Sequence, residues 1–183
     1  MGKCMDEFMR AAIEEAKKGA AQGGIPIGSV LVHNGKIIGR GHNKRVQTGS
    51  PTLHGEMDAL ENAGRQPASV YRQSVIYTTL SPCSMCTGAI LLYGIPKVVI
   101  GENQTFMGEE QLLKSRGVEI EMVDSDECKQ LMKDFIAANP ELWNENLFKQ
   151  VAQLSKVGET TFSTFTAASL VRKGLAEVGF EIV

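Results

Sequence analysis

A length of 183 residues predicts one domain with a short appendage, because a domain typically has roughly 150 residues. The 43% hydrophobic and 22% charged residues exclude wholesale disorder. The net charge of −2, without any basic stripe, argues against a nucleic-acid partner. No apolar run approaches the roughly 18 residues that span a membrane, and residues 1–10 contain no secretory hydrophobic region. We therefore expect a soluble, cytoplasmic protein whose ligand is a small molecule.

The spacing of apolar residues predicts alternating helices and strands along most of the chain. In order, they are a helix at 5–20, strands at 25–32 and 36–41, a helix at 53–63, a strand at 74–79, a helix at 82–92, a strand at 97–100, a weak helix around 112–113, a strand at 118–123 and a helix at 125–137. The pair Asn34-Gly35 predicts a hairpin turn, so at least one strand pair is antiparallel. This alternation predicts a three-layer α/β/α sandwich, in which helices cover both faces of one sheet.

Asn139-Pro140 marks the strongest candidate boundary in the chain. Beyond it the pattern predicts a helix from 142, a strand at 160–165, a helix at 167–176 and a last short strand at 180–183. This helix–strand extension is too short for a hydrophobic core of its own. We therefore expect it to pack on the body or on a partner subunit.

Two short motifs combine residue types that bind metal ions. His54 and Glu56 enclose one glycine at the start of the second predicted helix, and Cys83 and Cys86 follow Pro82 at the start of the third. We expect Pro82 to be the first residue of that helix. The two cysteines then point the same way from its first turn, where the helix dipole favours thiolates. One imidazole and two thiolates suit Zn²⁺ and leave a fourth position for water, which is typical of a catalytic zinc site.

Glu56 is the residue that we predict to move protons at this site. It lies two residues beyond His54, so it can approach the metal without binding it. Zinc with two thiolates and a neutral imidazole is formally neutral and acidifies water less than zinc with three histidines, so a nearby base is useful. Simpler interpretations of these residues are a closed structural zinc site, ordinary core packing, or a solvated helix carboxylate. The residues expected to be structural or incidental are His33, His42, Cys4 and Cys128.

The two motifs together follow the H-x-E and P-C-x-x-C pattern of zinc-dependent base deaminases. From about residue 5 to residue 143 the chain resembles the fungal-type cytosine deaminases of the cytidine and deoxycytidylate deaminase superfamily. The matching stretches are 24–28 (GIPIG), 39–43 (GRGHN), 52–56 (TLHGE), 77–83 (YTTLSPC), 85–90 (MCTGAI), 93–96 (YGIP) and 101–103 (GEN). The HGE and SPCxMCTGA variants favour an enzyme of the free base over the tRNA adenosine deaminases.

The resemblance implies a cytidine deaminase-like fold, a homodimer, a zinc ion in each subunit, and hydrolysis of cytosine to uracil and ammonia in pyrimidine salvage. It implies that His54, Cys83 and Cys86 bind the zinc, and that Glu56 carries a proton from the zinc water to ring N3 and later to the departing amine. The implied substrate contacts are Asn43 and the backbone N–H of Gly55 for the ring carbonyl, the Ser81 carbonyl for the exocyclic amine, and Ile27, Leu80, Phe106 and Trp143 for the pocket walls. The simpler alternatives are a turn cap for Asn43 and core packing for the two aromatic residues.

The residues after Trp143 depart from the family pattern. The family places an aspartate there to accept the ring N1–H, whereas this chain has Asn146, with Glu145 as the alternative acceptor. An amide oxygen accepts this hydrogen bond more weakly than a carboxylate, by about 1 kcal/mol. Deamination of another free base, such as guanine or isocytosine, therefore stays open. Because the family normally ends near this position, we divide the chain into a deaminase domain at 1–146 and an extension at 147–183.

The extension is the second departure. From 142 to 183 the chain resembles part of the methyltransferase domain of the bifunctional enzyme that modifies the wobble uridine of tRNA. The stretch has no glycine-rich cofactor loop, so we expect no methyl transfer. An inactive, zinc-stabilised scaffold whose extension binds RNA or a protein is the remaining alternative. The intact Glu56 and the near-neutral charge argue against it.

Overall fold

The computed structural model describes residues 6–139, which form five strands and seven helices. In chain order they are α1 (Glu7–Ala21), β1 (Gly28–His33), β2 (Lys36–His42), α2 (Arg45–Thr48), α3 (Gly55–Ala63), α4 (Ala68–Tyr71), β3 (Ser74–Leu80), α5 (Ser84–Tyr93), β4 (Lys97–Glu102), α6 (Glu110–Ser115), β5 (Glu119–Met122) and α7 (Asp126–Ala138). None of these helices is long and apolar enough to cross a membrane.

The strands form one mixed sheet in the order β2-β1-β3-β4-β5. Strand β1 is antiparallel to both β2 and β3, whereas β3, β4 and β5 run parallel. The turn between β1 and β2 has φ of 49° at Asn34 and 70° at Gly35. Asn and Gly tolerate these positive φ angles best, so the turn chemistry explains why the predicted hairpin is confirmed. The parallel pairs are connected through α5 and α6, as parallel neighbours require.

Helices cover both faces of the sheet because the central strands are apolar on both faces. Ile76 and Val98 pack in the cluster that includes residues of α3 and α5. Their neighbours Tyr77 and Val99 pack in the cluster formed with α1 and α7. Successive residues of a strand point to opposite faces, so a continuous apolar run requires cover on both sides. This arrangement confirms the predicted three-layer α/β/α sandwich.

Helix α3 lies unusually close to β2, and a glycine permits the approach. A Cβ on Gly41 would overlap the backbone of Ala59 in α3. On the same helix, the Asp58 carboxylate accepts hydrogen bonds from the backbone N–H of His42 at 3.0 Å and from Lys44 Nζ at 2.8 Å. These contacts fix the beginning of α3 against the end of β2.

The structure differs from the predicted elements in several places. Strand β1 begins at Gly28 rather than at residue 25. Helix α5 begins at Ser84, so the expectation that Pro82 is its first residue is wrong. The segment before α5 stays extended because the Pro82 carbonyl accepts the backbone N–H of Glu109 at 3.1 Å. The single-turn helices α2 and α4 are too short for a helical apolar period, and the elements predicted beyond 139 lie outside the described residues.

Candidate active site

The candidate site lies at the edge of the sheet formed by the ends of the strands, where β2, β3 and β4 end and β1 begins. Two helices also begin at this edge. Because β1 is antiparallel to both of its neighbours, its first residues lie beside the last residues of β2 and β3. The parallel strand β4 ends at the same edge, where Glu102 pairs with Leu80. Helices α3 and α5 begin directly after this edge, and their first residues carry the predicted metal ligands. Ligands commonly bind outside the carboxyl ends of strands in α/β folds.

The structure brings the three predicted metal ligands together. His54 and Cys83 are the N-cap residues of α3 and α5, and Cys86 lies in the first turn of α5. The distance between His54 Nδ1 and Cys83 Sγ is 3.5 Å, and Cys86 Sγ lies 3.7 Å from each of these two atoms. Tetrahedral zinc, with Zn–S near 2.3 Å and Zn–N near 2.0 Å, separates its ligand atoms by about 3.5–3.8 Å. The donor set and its spacing therefore fit a zinc ion.

The two thiols differ in acidity because their surroundings differ. The hydrogen bond with Cys86 is the main factor that lowers the pKa of Cys83 to about 3, and His54 contributes in the same direction. The same contact, together with burial, raises the pKa of Cys86. Cys83 is the more accessible of the two thiols, and it lies at a helix N-terminus, where a thiolate is stabilised. These surroundings favour the thiolate form of Cys83, which is the form that binds a metal ion.

Glu56 lies beside this cluster and is almost inaccessible, with 3% of its surface exposed. Its Oε2 atom is 3.4 Å from Cys86 Sγ, and its Oε1 atom accepts a hydrogen bond from the Thr78 hydroxyl at 3.1 Å. Burial raises the pKa of Glu56, while its own backbone N–H opposes that rise. A buried carboxyl whose proton affinity is increased is suited to accept and return a proton. This burial disfavours the alternative of a solvated helix carboxylate.

Asn43 and Gly55 lie together at the same edge. The Asn43 backbone N–H donates to the Ile27 carbonyl at 2.8 Å, and a Cβ on Gly55 would lie 3.1 Å from that same oxygen. The Asn43 side-chain oxygen accepts the backbone N–H of Arg45 at 3.1 Å. Asn43 therefore does cap the following turn, as the simpler interpretation held. Its amide group is oriented by that cap and keeps two N–H donors.

Ser81 and the segment that contains Phe106 are tied together. The Ser81 hydroxyl donates to Glu110 Oε1 at 2.8 Å and accepts the backbone N–H of Gly108 at 3.0 Å. Asn103 Nδ2 donates to the same Glu110 oxygen at 3.0 Å. The half-buried Phe106 lies in the segment between β4 and α6 that these bonds hold. Leu80 is buried at the end of β3, whereas Trp143 and Asn146 lie outside the described residues.

Three polar residues at this edge were not predicted from the sequence. Thr78 contacts Glu56, Glu110 holds Ser81, and Asp58 joins α3 to β2. In the sequence, Thr78 belongs to a run of β-branched residues that is typical of any strand. Asp58 and Glu110 have the pattern of exposed helix residues. Only the burial of all three residues distinguishes them. His42, which we expected to be structural, is buried, and its ring nitrogens lie 3.0 Å from Glu15 Oε2 and 2.9 Å from Gln22 Oε1.

The sequence of this chain is similar to those of known deaminases. The family model of the cytidine and deoxycytidylate deaminase zinc-binding region matches residues 3–102. The chain is 53% identical over 140 residues to a cytosine deaminase of Candida albicans, covering 76% of this chain and 93% of that protein. It is 42% identical over 108 residues to a tRNA-specific adenosine deaminase of Streptococcus pyogenes, covering 57% of this chain and 67% of the relative.

Solved structures share the fold. A guanine deaminase of Nitrosomonas europaea superposes with a TM-score of 0.58 at 21% identity, covering 71% of this chain and 83% of that one. RibD of Acinetobacter baumannii gives a TM-score of 0.58 at 29% identity, covering 72% of this chain and 38% of its own length. Residues 137–183 match a second family model, that of an S-adenosyl-L-methionine-dependent methyltransferase. The short second match agrees with the resemblance of the extension.

Proposed function

The chain belongs to the cytidine and deoxycytidylate deaminase family, and on this premise we propose that it hydrolyses cytosine to uracil and ammonia with zinc as its cofactor. The observation that carries the proposal is the buried Glu56 carboxylate beside the cluster of His54, Cys83 and Cys86. The 53% identity to a cytosine deaminase supports cytosine over the other substrates of the family.

The metal ligands and Glu56 divide the chemistry between them. We propose that His54, Cys83 and Cys86 hold the zinc, which supplies a Lewis acid that makes water nucleophilic near neutral pH. Glu56 accepts a proton from that water and delivers it to ring N3 of cytosine. The water oxygen bonds to the carbon that carries the amine. Glu56 then takes the second proton from that oxygen and gives it to the amine nitrogen, the C–N bond breaks to release ammonia, and the oxygen becomes the new carbonyl of uracil. Its burial matches this role, since a raised pKa lets a carboxyl both accept and donate.

The substrate is held by polar groups at the sheet edge. The Asn43 amide and the Gly55 backbone N–H donate to the ring carbonyl, and the Ser81 carbonyl accepts from the exocyclic amine. Ile27, Leu80, Phe106 and Trp143 form the walls, and Asn146 accepts the ring N1–H. The cap on Asn43 supports this assignment because it fixes the amide oxygen on the Arg45 N–H and so orients the amide N–H donors. A base that lacks the matching groups would leave these buried polar groups unpaired, so it would bind and react much less well.

We further propose a cytoplasmic homodimer that acts in pyrimidine salvage and binds no nucleic acid. The resemblance to fungal-type enzymes and the net charge of −2 support these statements. Leu92 near the end of α5 is 78% exposed, and a partner subunit would cover such a side chain. Light scattering of the purified protein tests the dimer, and a monomeric mass contradicts it. Salt-dependent retention on a polyanion column would instead support an RNA-binding scaffold.

Ammonia release from cytosine by the purified, zinc-loaded protein tests the function. The Glu56→Ala variant, with its zinc content measured, is the blank. We expect release by the wild type alone, with equal zinc in both proteins. A wild type that holds zinc but releases no ammonia from cytosine contradicts the proposal. The same assay on guanine and isocytosine would then separate another free-base deaminase from an inactive scaffold.

A further inference from the structure

Thr78 is a buried polar residue that the mechanism above leaves without a role. It lies in β3, the central strand of the sheet, near the edge that carries the site, and its backbone pairs with Ser29 on one side and with Ile100 on the other. None of its surface is exposed. Burying a hydroxyl without a hydrogen bond is costly, and a valine would suit the same strand position equally well. The presence of a hydroxyl here therefore calls for a partner.

The Thr78 hydroxyl has two acceptors within reach. Its Oγ1 atom lies 3.1 Å from Glu56 Oε1 and 3.1 Å from the Leu80 carbonyl oxygen. A hydroxyl has one proton to donate, and a bond to a carboxylate is roughly twice as strong as a bond to a neutral carbonyl. The bond to Glu56 is thus the favoured one whenever that carboxyl is ionised.

This bond distinguishes the two oxygens of Glu56. Oε1 faces Thr78, whereas Oε2 faces the metal ligands, 3.4 Å from Cys86 Sγ. A carboxylate on a flexible side chain can rotate so that neither oxygen is aimed at the reacting atoms. Because Thr78 is held by strand pairing on both sides, it offers a fixed anchor for one oxygen and leaves the other for proton transfer.

We propose that Thr78 is a positioning residue that anchors Glu56 Oε1 and so aims Oε2 at the reaction. The proposal rests on the proposed function, because it needs Glu56 to be the residue that moves protons. A purely structural role would be met by the Leu80 carbonyl alone. The two roles differ in what removal of the hydroxyl changes: the rate of the chemical step in one case, and only stability in the other.

The neighbouring Thr79 provides a matched control. It is also a buried threonine of β3, but its hydroxyl oxygen accepts the backbone N–H of Gly28 at 3.1 Å. Thr79→Val therefore removes a buried hydroxyl of the same strand without touching Glu56. We expect this variant to lose stability and to keep the wild-type rate of chemistry.

The test compares Thr78→Val, Thr78→Ser and Thr79→Val by single-turnover deamination of cytosine with enzyme in excess. This measurement isolates the chemical step, since product release often limits kcat. We expect Thr78→Val to slow the single-turnover rate by about 10- to 100-fold, the cost of a misplaced catalytic group. Steady-state kinetics of the same variant should show an unchanged KM, and metal analysis should show full zinc content. Thr78→Ser keeps the hydroxyl and should restore the rate to within about threefold of wild type.

A double-variant measurement separates this role from a structural one. If Thr78 acts through Glu56, Thr78→Val should slow the residual reaction of Glu56→Gln little or not at all. A folded, zinc-loaded Thr78→Val with the wild-type single-turnover rate overturns the inference while leaving the proposed function intact. Thr78→Ala serves in its place if the valine variant does not fold. A wild type that does not deaminate cytosine overturns the function and the inference together.

Discussion

The candidate metal side of the site is assembled from two helix starts, whereas its proposed substrate side is assembled from separate segments of the chain. His54 and Cys83 cap α3 and α5, and all three ligand atoms lie within 3.7 Å of one another. The substrate side instead combines residues before β1, after β2, after β3 and after β4. Its members are Ile27, Asn43, Ser81 and Phe106.

This difference suggests a physical reason why related enzymes can share the zinc-dependent reaction and differ in the base that they bind. The metal ligands need only two short motifs and two helices packed on a sheet. The substrate contacts depend on loops whose positions are set by further polar bonds, such as those of Ser81 with Glu110 and Gly108. Loops tolerate sequence change better than the elements that they connect. Changes on the metal side should thus abolish the reaction, and changes on the substrate side should tune it.

Loss of the proton carrier should have the largest effect on activity. Glu56→Gln keeps the size of the side chain but cannot accept the proton, so we expect kcat to fall by about 100- to 10,000-fold. Zinc analysis should show the metal retained, because Glu56 is not a ligand. A variant that keeps turnover above a tenth of wild type would exclude Glu56 from proton transfer.

Loss of one thiolate should remove the metal and part of the stability together. We expect Cys83→Ser to bind zinc poorly and to lose roughly 4 kcal/mol, the stabilisation from a ligand held at 1,000 times its Kd. Zinc content and the thermal midpoint measure the two effects. Cys128→Ser is the control, since Cys128 is a buried cysteine in the cluster with α1 and α7. Equal zinc loss in both variants would mean that the cluster is not the metal site.

A substitution that pushes α3 away from β2 should disturb the metal ligands and the proposed substrate contacts together. Gly41→Ala places a Cβ against the backbone of Ala59, so we expect a destabilisation of about 1–3 kcal/mol and reduced turnover. Denaturant unfolding measures the change. Gly88→Ala is the matched control because a Cβ there meets nothing within 4 Å, and that variant should be as stable as wild type or slightly more so. Equal effects of the two substitutions would contradict close packing as the cause.

Loosening the substrate side alone should change KM more than the chemical step. Ser81→Ala removes the bonds to Glu110 and Gly108 that hold the segment containing Phe106. A loss of about 1 kcal/mol of substrate binding corresponds to a roughly fivefold rise in KM. Steady-state kinetics at full zinc loading measure it. The exposed Ser84, which donates to Glu109, supplies the control substitution Ser84→Ala, and a KM that rises equally in both would argue against this anchoring role.

The smallest effect is expected at Asn146. If this residue accepts the ring N1–H, Asn146→Asp adds charge to that hydrogen bond, and KM for cytosine should fall by about fivefold. The same kinetic assay on wild type and variant decides it. An unchanged KM would put Asn146 outside the pocket and leave Glu145 as the acceptor to be tested next.

Much of the fold was predictable because it depends on short-range patterns. The hairpin follows from Asn34 and Gly35, which tolerate positive φ, and the alternation of strands with amphipathic helices predicts the layers. Helices α2 and α4 were not predicted because a single helical turn is too short to show the regular spacing of apolar residues. The start of α5 was misplaced because Pro82 is held extended by a bond to Glu109, a residue far along the chain.

The sequence alone was enough to predict the candidate metal ligands, the proposed proton carrier Glu56 and the layered fold, since each depends on residues a few positions apart. Only the tertiary structure decided which groups hold these residues in place. Thr78 and Glu56 are 22 residues apart, and Ser81 and Glu110 are 29 apart. Such contacts depend on the order and register of the strands, which no local pattern specifies, and on burial, which turns an ordinary hydroxyl or carboxylate into a partner that the site requires.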